Sequence, residues 1–153
     1  MKTFKTSAIG VLLIVCYLNS SAQKIPLNEN FRNQPKLFAD MPGSMKLKTF
    51  NLEALLDLPV GASVNTLLTN NFNFQGTVVS TSPASNATVK SIVVQSTNRK
   101  GATLTFTRTV QPDGTIKYLG RIISLKNGDA FDIVKENDQY ILQKKNLDEL
   151  VNE

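Results

Sequence analysis

Four carboxylates fall within ten residues of this sequence, in the stretch DAFDIVKEND at positions 129–138, and paired carboxylates can perform general acid–base catalysis. Such catalysis needs both groups to converge on one substrate in environments that separate their pKa values. Glu136 and Asp138 fall where two strand patterns meet, and Asn137 with Asp138 favours a two-residue hairpin turn there. The sequence therefore favours a solvated hairpin, and Asp129 with Asp132 is the catalytic pair that remains as an alternative.

The residues that most enzymes and metal sites require are absent. The chain has no histidine, and its one cysteine is Cys16. A Ser/His/Asp or Cys/His centre is therefore impossible, as are the metal sites built on imidazole. The acidic run NGDAFD lacks the spacing of a calcium loop, and no glycine-rich phosphate loop occurs. We expect no catalytic residue, no metal site and no cofactor, and hence a protein that is not an enzyme.

The N-terminus has the layout of a bacterial secretory signal peptide, predicted to span residues 1–22. Lys2 and Lys5 precede the apolar run AIGVLLIVCYL, and small residues come before a cut at Gln23. The run has about eleven residues where a bilayer span needs roughly 20, so we expect no membrane span after cleavage. The alternative is a lipoprotein anchored through Cys16, which the bulky Val15 before it disfavours. The protein is expected to be exported, either to the periplasm or into the medium.

The mature chain would have 131 residues, which suits one domain with a modest core. Loss of Lys2 and Lys5 leaves 15 basic residues against 12 acidic ones, a net charge of about +3. The basic residues are scattered, so nucleic acid is not an expected partner. Loss of Cys16 removes any disulfide, so the stability of the fold must come from packing.

The mature chain divides into a leader, residues 23–48, and a β-domain, residues 49–153. The leader is rich in proline and asparagine and has no sustained period, which indicates an extended segment. A short helix is predicted over residues 52–57, with Asn51 as its N-cap, and a second one after Asn146.

From Ala62 onward the hydrophobic period is two, with turn signals about every ten to twelve residues, which predicts an antiparallel meander. The fold class is all-β, a curled sheet or small barrel of about seven strands. Gly76 and Gly120 are expected where backbones approach closely. Strands are predicted at residues 63–68, 72–81, 88–96, 102–110, 115–125, 130–135 and 139–144.

Two polar sets on the predicted strands are candidate binding surfaces. Thr103, Thr105, Thr107 and Thr109 share one face of a strand, where threonine is a common solvent-facing residue and can also match a repeating ligand. Basic residues could form a partner-binding patch if the fourth and fifth predicted strands pair. These residues are Arg99, Lys100, Arg108, Lys117 and Arg121.

The segments FQGTVVS, SIVVQST, LTFTR, YLGRIIS, DAFDIV and YILQKKNLDELV, from Phe72 to Leu150, resemble the β-rich propeptide region of bacterial reprolysin-like metallopeptidases. The resemblance implies a stand-alone module of the prodomain or inhibitor type. The H-E-x-x-H metal motif of such enzymes cannot occur in a chain without histidine, so no catalytic role carries over to any residue.

The leading hypothesis is an exported, non-catalytic β-module that binds a protein or glycan of the cell envelope or medium through a sheet edge or a curved face. A prodomain-like peptidase inhibitor is the alternative, in which the leader or a sheet edge occupies a peptidase cleft by strand addition. A hydrolase that uses only carboxylates is the remote alternative, and it would require two converging Asp or Glu side chains.

Overall fold

A computed structural model describes residues 34–83, 85 and 88–151 of the chain. The predicted signal peptide, Cys16, the cut at Gln23 and the first part of the leader lie outside these residues. None of the described residues belongs to a helix that is both long and apolar enough to cross a membrane.

Eight antiparallel strands form one sheet that curls into a half-barrel. Their order across the sheet is β1-β8-β7-β6-β5-β4-β3-β2. The strands are β1 (Ser44–Lys46), β2 (Ser63–Leu67), β3 (Asn73–Thr81), β4 (Val89–Ser96), β5 (Ala102–Val110), β6 (Ile116–Ser124), β7 (Asp129–Glu136) and β8 (Gln139–Asn146).

The all-β prediction is confirmed, and the seven predicted strands are β2 to β8, with ends within two residues of those expected. The additional strand, β1, lies inside the predicted leader and pairs with β8, placing Met45 opposite Leu142. It has three residues, too few to show a period of two in the sequence.

The sheet does not close into a barrel within the described residues, because β1 and β2 form its two edges. Residues 47 and 48, which follow β1, nevertheless connect the two ends of the sheet at one corner. The Leu47 N–H donates to the Tyr140 carbonyl at 2.9 Å, and the Lys48 N–H donates to the Leu68 carbonyl at 2.7 Å. The result is a curled sheet that is joined across one corner by two hydrogen bonds.

Close backbone approach at Gly76 and Gly120 permits this curvature, as predicted. A Cβ atom at Gly76 would lie 2.5 Å from the Gln95 carbonyl oxygen, and one at Gly120 would lie 2.5 Å from that of Thr105. Because real Cβ atoms essentially never approach this closely, both positions require glycine for steric reasons.

The hydrophobic core fills the concave side of the sheet. Phe74, Phe106 and Phe131 are fully buried there. The same cluster includes residues of the predicted leader, among them Phe38 and Met45. Residues 34–48 therefore pack as part of the β-domain.

A helical segment lies against the concave side. Helix α1 (Thr49–Glu53) continues directly into a 3-10 helix (Ala54–Asp57), and Leu52 and Leu55 are buried. The helix starts earlier than predicted, and the expected Asn51 N-cap is wrong. Asn51 lies inside the helix, and its side chain donates to the Leu67 carbonyl at 2.7 Å. The Asn51 side chain therefore bonds a residue distant in sequence and does not cap the helix.

The predicted turn and C-terminal helix are present. Asn137 and Asp138 have positive φ values of 46° and 61°, as expected for a two-residue hairpin turn. Helix α2 (Leu147–Val151) follows Asn146, whose backbone N–H donates to Glu149 at 3.4 Å while its side chain bonds the same carboxylate at 2.9 Å. A carboxylate reaching back to the N-cap residue in this way stabilises the helix start.

Candidate functional site

The clearest candidate for binding is the free edge of β2. Within the described residues β2 pairs with β3 alone, and its register sets Val64 opposite Gly76 and Thr66 opposite Phe74. The ladder continues at Leu68, whose N–H donates to the Phe72 carbonyl at 2.9 Å. Alternate residues of an antiparallel strand bond to opposite sides, so the backbone groups of Ser63, Asn65 and Leu67 face away from β3.

One end of this edge is already occupied, because the Leu67 carbonyl accepts the hydrogen bond from Asn51. No hydrogen bond to the outward backbone groups of Ser63 and Asn65 occurs within the described part of the chain. These groups can therefore accept another strand.

The side chains around the edge are uncharged and partly apolar. A shallow depression of about 510 Å³ is lined by Asn51, Asn65, Thr66, Leu67 and Asn73. Leu67 is 44% exposed, and Phe50, the neighbour of Asn51 in α1, is 79% exposed. We call the outward backbone of Ser63 and Asn65, together with Phe50, Leu67 and the three Asn side chains, the β2 edge site.

Sequence reasoning predicted β2 as a strand and did not identify it as an edge. Its sequence, SVNTL, contains no charge and no proline, and these are the devices that usually protect an edge strand. This composition is the signal that could have drawn attention to the segment. A central strand can have the same composition, so only the strand order shows that it lies at an edge.

A second concave region lies between the helical segment and strands β3 to β5. Two clefts of about 290 and 460 Å³ meet there, and both are lined by Leu56, Asp57 and Lys90. Lys90 pairs with Asp57 at 2.7 Å, and the Arg108 Nε atom lies 3.6 Å from Glu53. Each cation thus meets a carboxylate of the helical segment, so this region clamps the helix to the sheet.

The same clamp includes Tyr118, whose hydroxyl donates to the Glu53 carboxylate. Burial, followed by the hydrogen bond and charge of Glu53, raises the pKa of Tyr118 to about 12. The Tyr118 N–H donates to the Tyr140 hydroxyl at 3.2 Å, beyond the point where β6 pairs with β7. In contrast to Ser63 and Asn65, this outward backbone N–H is satisfied by a side chain.

The predicted basic patch does not assemble as one surface, although β5 and β6, the fourth and fifth predicted strands, do pair. Arg108 lies on the concave side, opposite Tyr118 and near Glu53. Arg99 lies in the turn before β5 and forms an ion pair with Asp40 at 2.6 Å. That hydrogen bond raises the pKa of Arg99 and lowers that of Asp40.

The other three members of the set are also separated. Arg121 lies on the convex face and forms an ion pair with Asp132 at 3.1 Å. Lys100 lies in the turn before β5, and Lys117 lies opposite Thr109 near the other end of the β5–β6 hairpin. Strand alternation and position in the turn or the strands therefore divide the five residues among three parts of the surface, and the three arginines pair with three different carboxylates.

The four carboxylates of residues 129–138 are also dispersed. Asp129 is 2% exposed and accepts a hydrogen bond from the Phe38 N–H at 2.9 Å. Asp132 forms its ion pair on the opposite face of β7, and Asp138 bonds Lys135 at 2.9 Å at the hairpin tip. Asp129 and Asp132 therefore cannot converge on one substrate.

The threonine row lies on the convex face, as predicted. Its neighbours across the strands include Val93, Gln95, Leu119 and Ile123. Branched apolar side chains on both neighbouring strands therefore flank the row. Among the described residues, no group of three acidic, cysteine or histidine side chains is arranged to hold a metal ion.

The described residues form a small all-β module whose edge strand β2 carries neither charge nor proline. No family model, no curated protein and no solved structure matches the chain.

Proposed function

We propose that the protein is an exported, non-catalytic binding module that holds an envelope or extracellular partner at the β2 edge site. The observation that supports this proposal is the five-residue strand β2, whose outward backbone groups at Ser63 and Asn65 have no partner in the described chain. Export rests on the signal-peptide pattern of residues 1–22.

Strand addition is the binding mode that this edge favours. An extended segment of a partner protein would pair its backbone with that of β2 and gain affinity from main-chain hydrogen bonds. Each such bond contributes about 0.5–1.5 kcal/mol net. Phe50 and Leu67 would supply the apolar contacts, and aromatic residues such as Phe50 are enriched in interfaces.

The edge also favours a protein over a glycan. Its unpaired groups are backbone N–H and C=O groups in strand geometry, which match another peptide backbone residue for residue. Because β2 carries no charge, we expect the pairing segment to be uncharged as well.

A peptidase inhibitor is the second candidate, and the same edge supports it. Peptidase clefts that accept extended substrates could accept β2 as such a strand. The described part of the leader, residues 34–48, packs on the β-domain. If the leader enters a peptidase cleft, residues 23–33 are therefore the part that would do so. The resemblance to metallopeptidase propeptides would, as a hypothesis, imply the same inhibitor role.

The test is capture of partners by the mature chain from the periplasmic and secreted fractions of the producing organism, read by mass spectrometry. Asn65→Lys places a charge on the edge, and Thr105→Lys, on the exposed centre of the convex face, is the matched control. We expect a partner that binds the wild type and Thr105→Lys but is lost with Asn65→Lys.

Hydrogen exchange locates the contact on the chain. Protection of residues 63–67 in the complex supports strand addition. If the captured partner is a peptidase and the protein inhibits it, the result supports the inhibitor hypothesis. A partner bound equally by all three proteins, or captured through a glycan, contradicts binding at the β2 edge site.

A further inference from the structure

A segment of the leader occupies a groove of the β-domain in the manner of a bound peptide. We call this segment, residues 35–41, the strap. It lies outside the strands of the sheet and is anchored by Phe38, whose side chain is fully buried. The Phe38 ring lies 5.1 Å from the ring of Phe131 and 6.5 Å from that of Phe72, centroid to centroid.

Side chains of the β-domain recognise the backbone of the strap on both sides of this anchor. The Asp129 carboxylate accepts from the Phe38 N–H at 2.9 Å, and the Lys144 ammonium donates to the Phe38 carbonyl at 2.7 Å and also to the Met41 carbonyl. Hydrogen bonds to charged groups are the stronger class, so these contacts fix the strap around Phe38.

Two further side chains extend this recognition toward the strap's N-terminal end. The Arg99 guanidinium donates to the Leu37 carbonyl at 3.0 Å, and the Asn127 amide donates to the Pro35 carbonyl at 2.7 Å. We call the surface formed by Arg99, Asn127, Asp129 and Lys144 with the Phe38 pocket the strap groove. It contacts backbone N–H and C=O groups of the strap, the buried side chains of Phe38 and Met41, and Asp40, which pairs with Arg99.

The groove cannot stay empty at low cost. Asp129 is buried, and its Oδ1 atom has no hydrogen-bond partner among the described residues, so the Phe38 N–H is the contact that its carboxylate has there. Departure of the strap would remove this hydrogen bond and expose to water the rings of Phe72 and Phe131 that pack against Phe38, and exposure of apolar surface is unfavourable. Loss of the strap therefore favours replacement by another segment that offers the same backbone groups and the same aromatic side chain.

The connection from the strap to β1 is suited to such a replacement. It consists of Pro42 and Gly43, both exposed, and a Cβ atom at Gly43 would meet no atom within 4 Å. The strap itself takes no part in the sheet, so it can leave the groove without breaking strand pairing. Segments held in this way open at lower free energy than core strands.

We propose that the strap groove is an exchangeable peptide site and that a second copy of this chain supplies the replacing strap. The second copy carries every group that the groove recognises, and a reciprocal exchange leaves both grooves filled. This exchange of identical elements yields a dimer with few new contacts.

Cross-linking of two single-cysteine variants tests the exchange. The chain is expressed without residues 1–22, which hold its one cysteine. Asp40→Cys places a thiol on the strap and Arg99→Cys places one on the groove, at positions that now form an exposed ion pair. The two variants are mixed, incubated at high concentration, diluted and treated with a short bismaleimide.

We expect covalent dimers several-fold above the control mixture, in which the double variant Arg99→Ala/Thr105→Cys replaces Arg99→Cys, so that both mixtures lack the Arg99 guanidinium and differ only in the position of the thiol. The double variant Asp40→Cys/Arg99→Cys must cross-link within one chain, which shows that both thiols react. If it does so while the mixture gives only the control level of dimer, exchange is overturned. Failure of the double variant to cross-link overturns the assignment of the groove itself.

A synthetic peptide of residues 34–43 provides the second measurement. In excess during the incubation it should occupy opened grooves and reduce the covalent dimer several-fold, whereas the same peptide with Phe38→Ala should not. Equal dimer yields with both peptides would show that the dimer forms elsewhere and would contradict the proposal.

Discussion

The two edges of the sheet differ in how they are protected. Strand β1 has three residues, contains the exposed Lys46 and is continuous with the strap, which is fixed by charged side chains. Strand β2 has five residues, carries no charge and has outward backbone groups without partners in the described chain. Short length and lysine are common devices against edge pairing, and β2 uses neither. The comparison indicates that the two edges differ in length and charge, and that β2 lacks both of these protective features.

The largest expected effect comes from a matched pair of phenylalanines beside the two edges. Phe38→Ala empties a fully buried pocket on the β1 side and should lower the free energy of unfolding by about 3–5 kcal/mol. Phe50→Ala removes a ring that is 79% exposed beside β2 and should change it by less than about 0.5 kcal/mol. Urea denaturation measures both free energies of unfolding. Equal decreases would show that Phe50 supports the fold as much as Phe38 does, which would contradict the comparison.

A matched pair of glycines gives the next largest effect. Gly76→Ala in β3 places a methyl group 2.5 Å from the Gln95 carbonyl, directly behind β2, and should destabilise the fold by about 1–3 kcal/mol. Gly43→Ala, beside β1, enters open space and should be close to neutral. Thermal unfolding checks both variants. A neutral Gly76→Ala would contradict the close approach of β3 and β4 at this position.

The clamp that holds α1 beside β2 should depend on pH. The folded state raises the pKa of Tyr118 from 10.0 to about 12, so the stabilisation is complete below pH 10 and is lost as the pH rises toward 12. Tyr118→Phe removes the hydroxyl and should cost about 1 kcal/mol at pH 8, as is typical for a lost hydrogen bond. Urea denaturation of both proteins from pH 8 to 12 should show their difference shrinking, and a constant difference would exclude this cause.

The smallest effect on stability is expected at the β2 edge site itself. Asn65→Lys changes an exposed side chain, so the free energy of unfolding should stay within about 0.5 kcal/mol of the wild type. Partner capture should nevertheless fall at least ten-fold, because a charged side chain on an edge strand opposes pairing with another strand. A stability loss of several kcal/mol would show that Asn65 supports the fold and that loss of capture is indirect.

The sequence predicted most of the fold because the strand period, the turn residues and the core residues are local signals. The alternation in Ala102–Val110 and the Asn-Asp turn at residues 137–138 needed no knowledge of distant contacts. The missed elements depend on distant partners. Strand β1 exists because β8 pairs with it, and Asn51 bonds the Leu67 carbonyl because β2 ends beside α1.

Sequence by itself thus determined the all-β class, the order of β2 to β8 along the chain and the absence of imidazole chemistry. Tertiary structure decided which strands are edges, which carboxylates meet cations and where the strap lies. The physical reason is that periodicity and composition act over a few residues. Edge position, the burial of Asp129 and the dispersal of the basic residues depend instead on contacts between residues far apart in the chain.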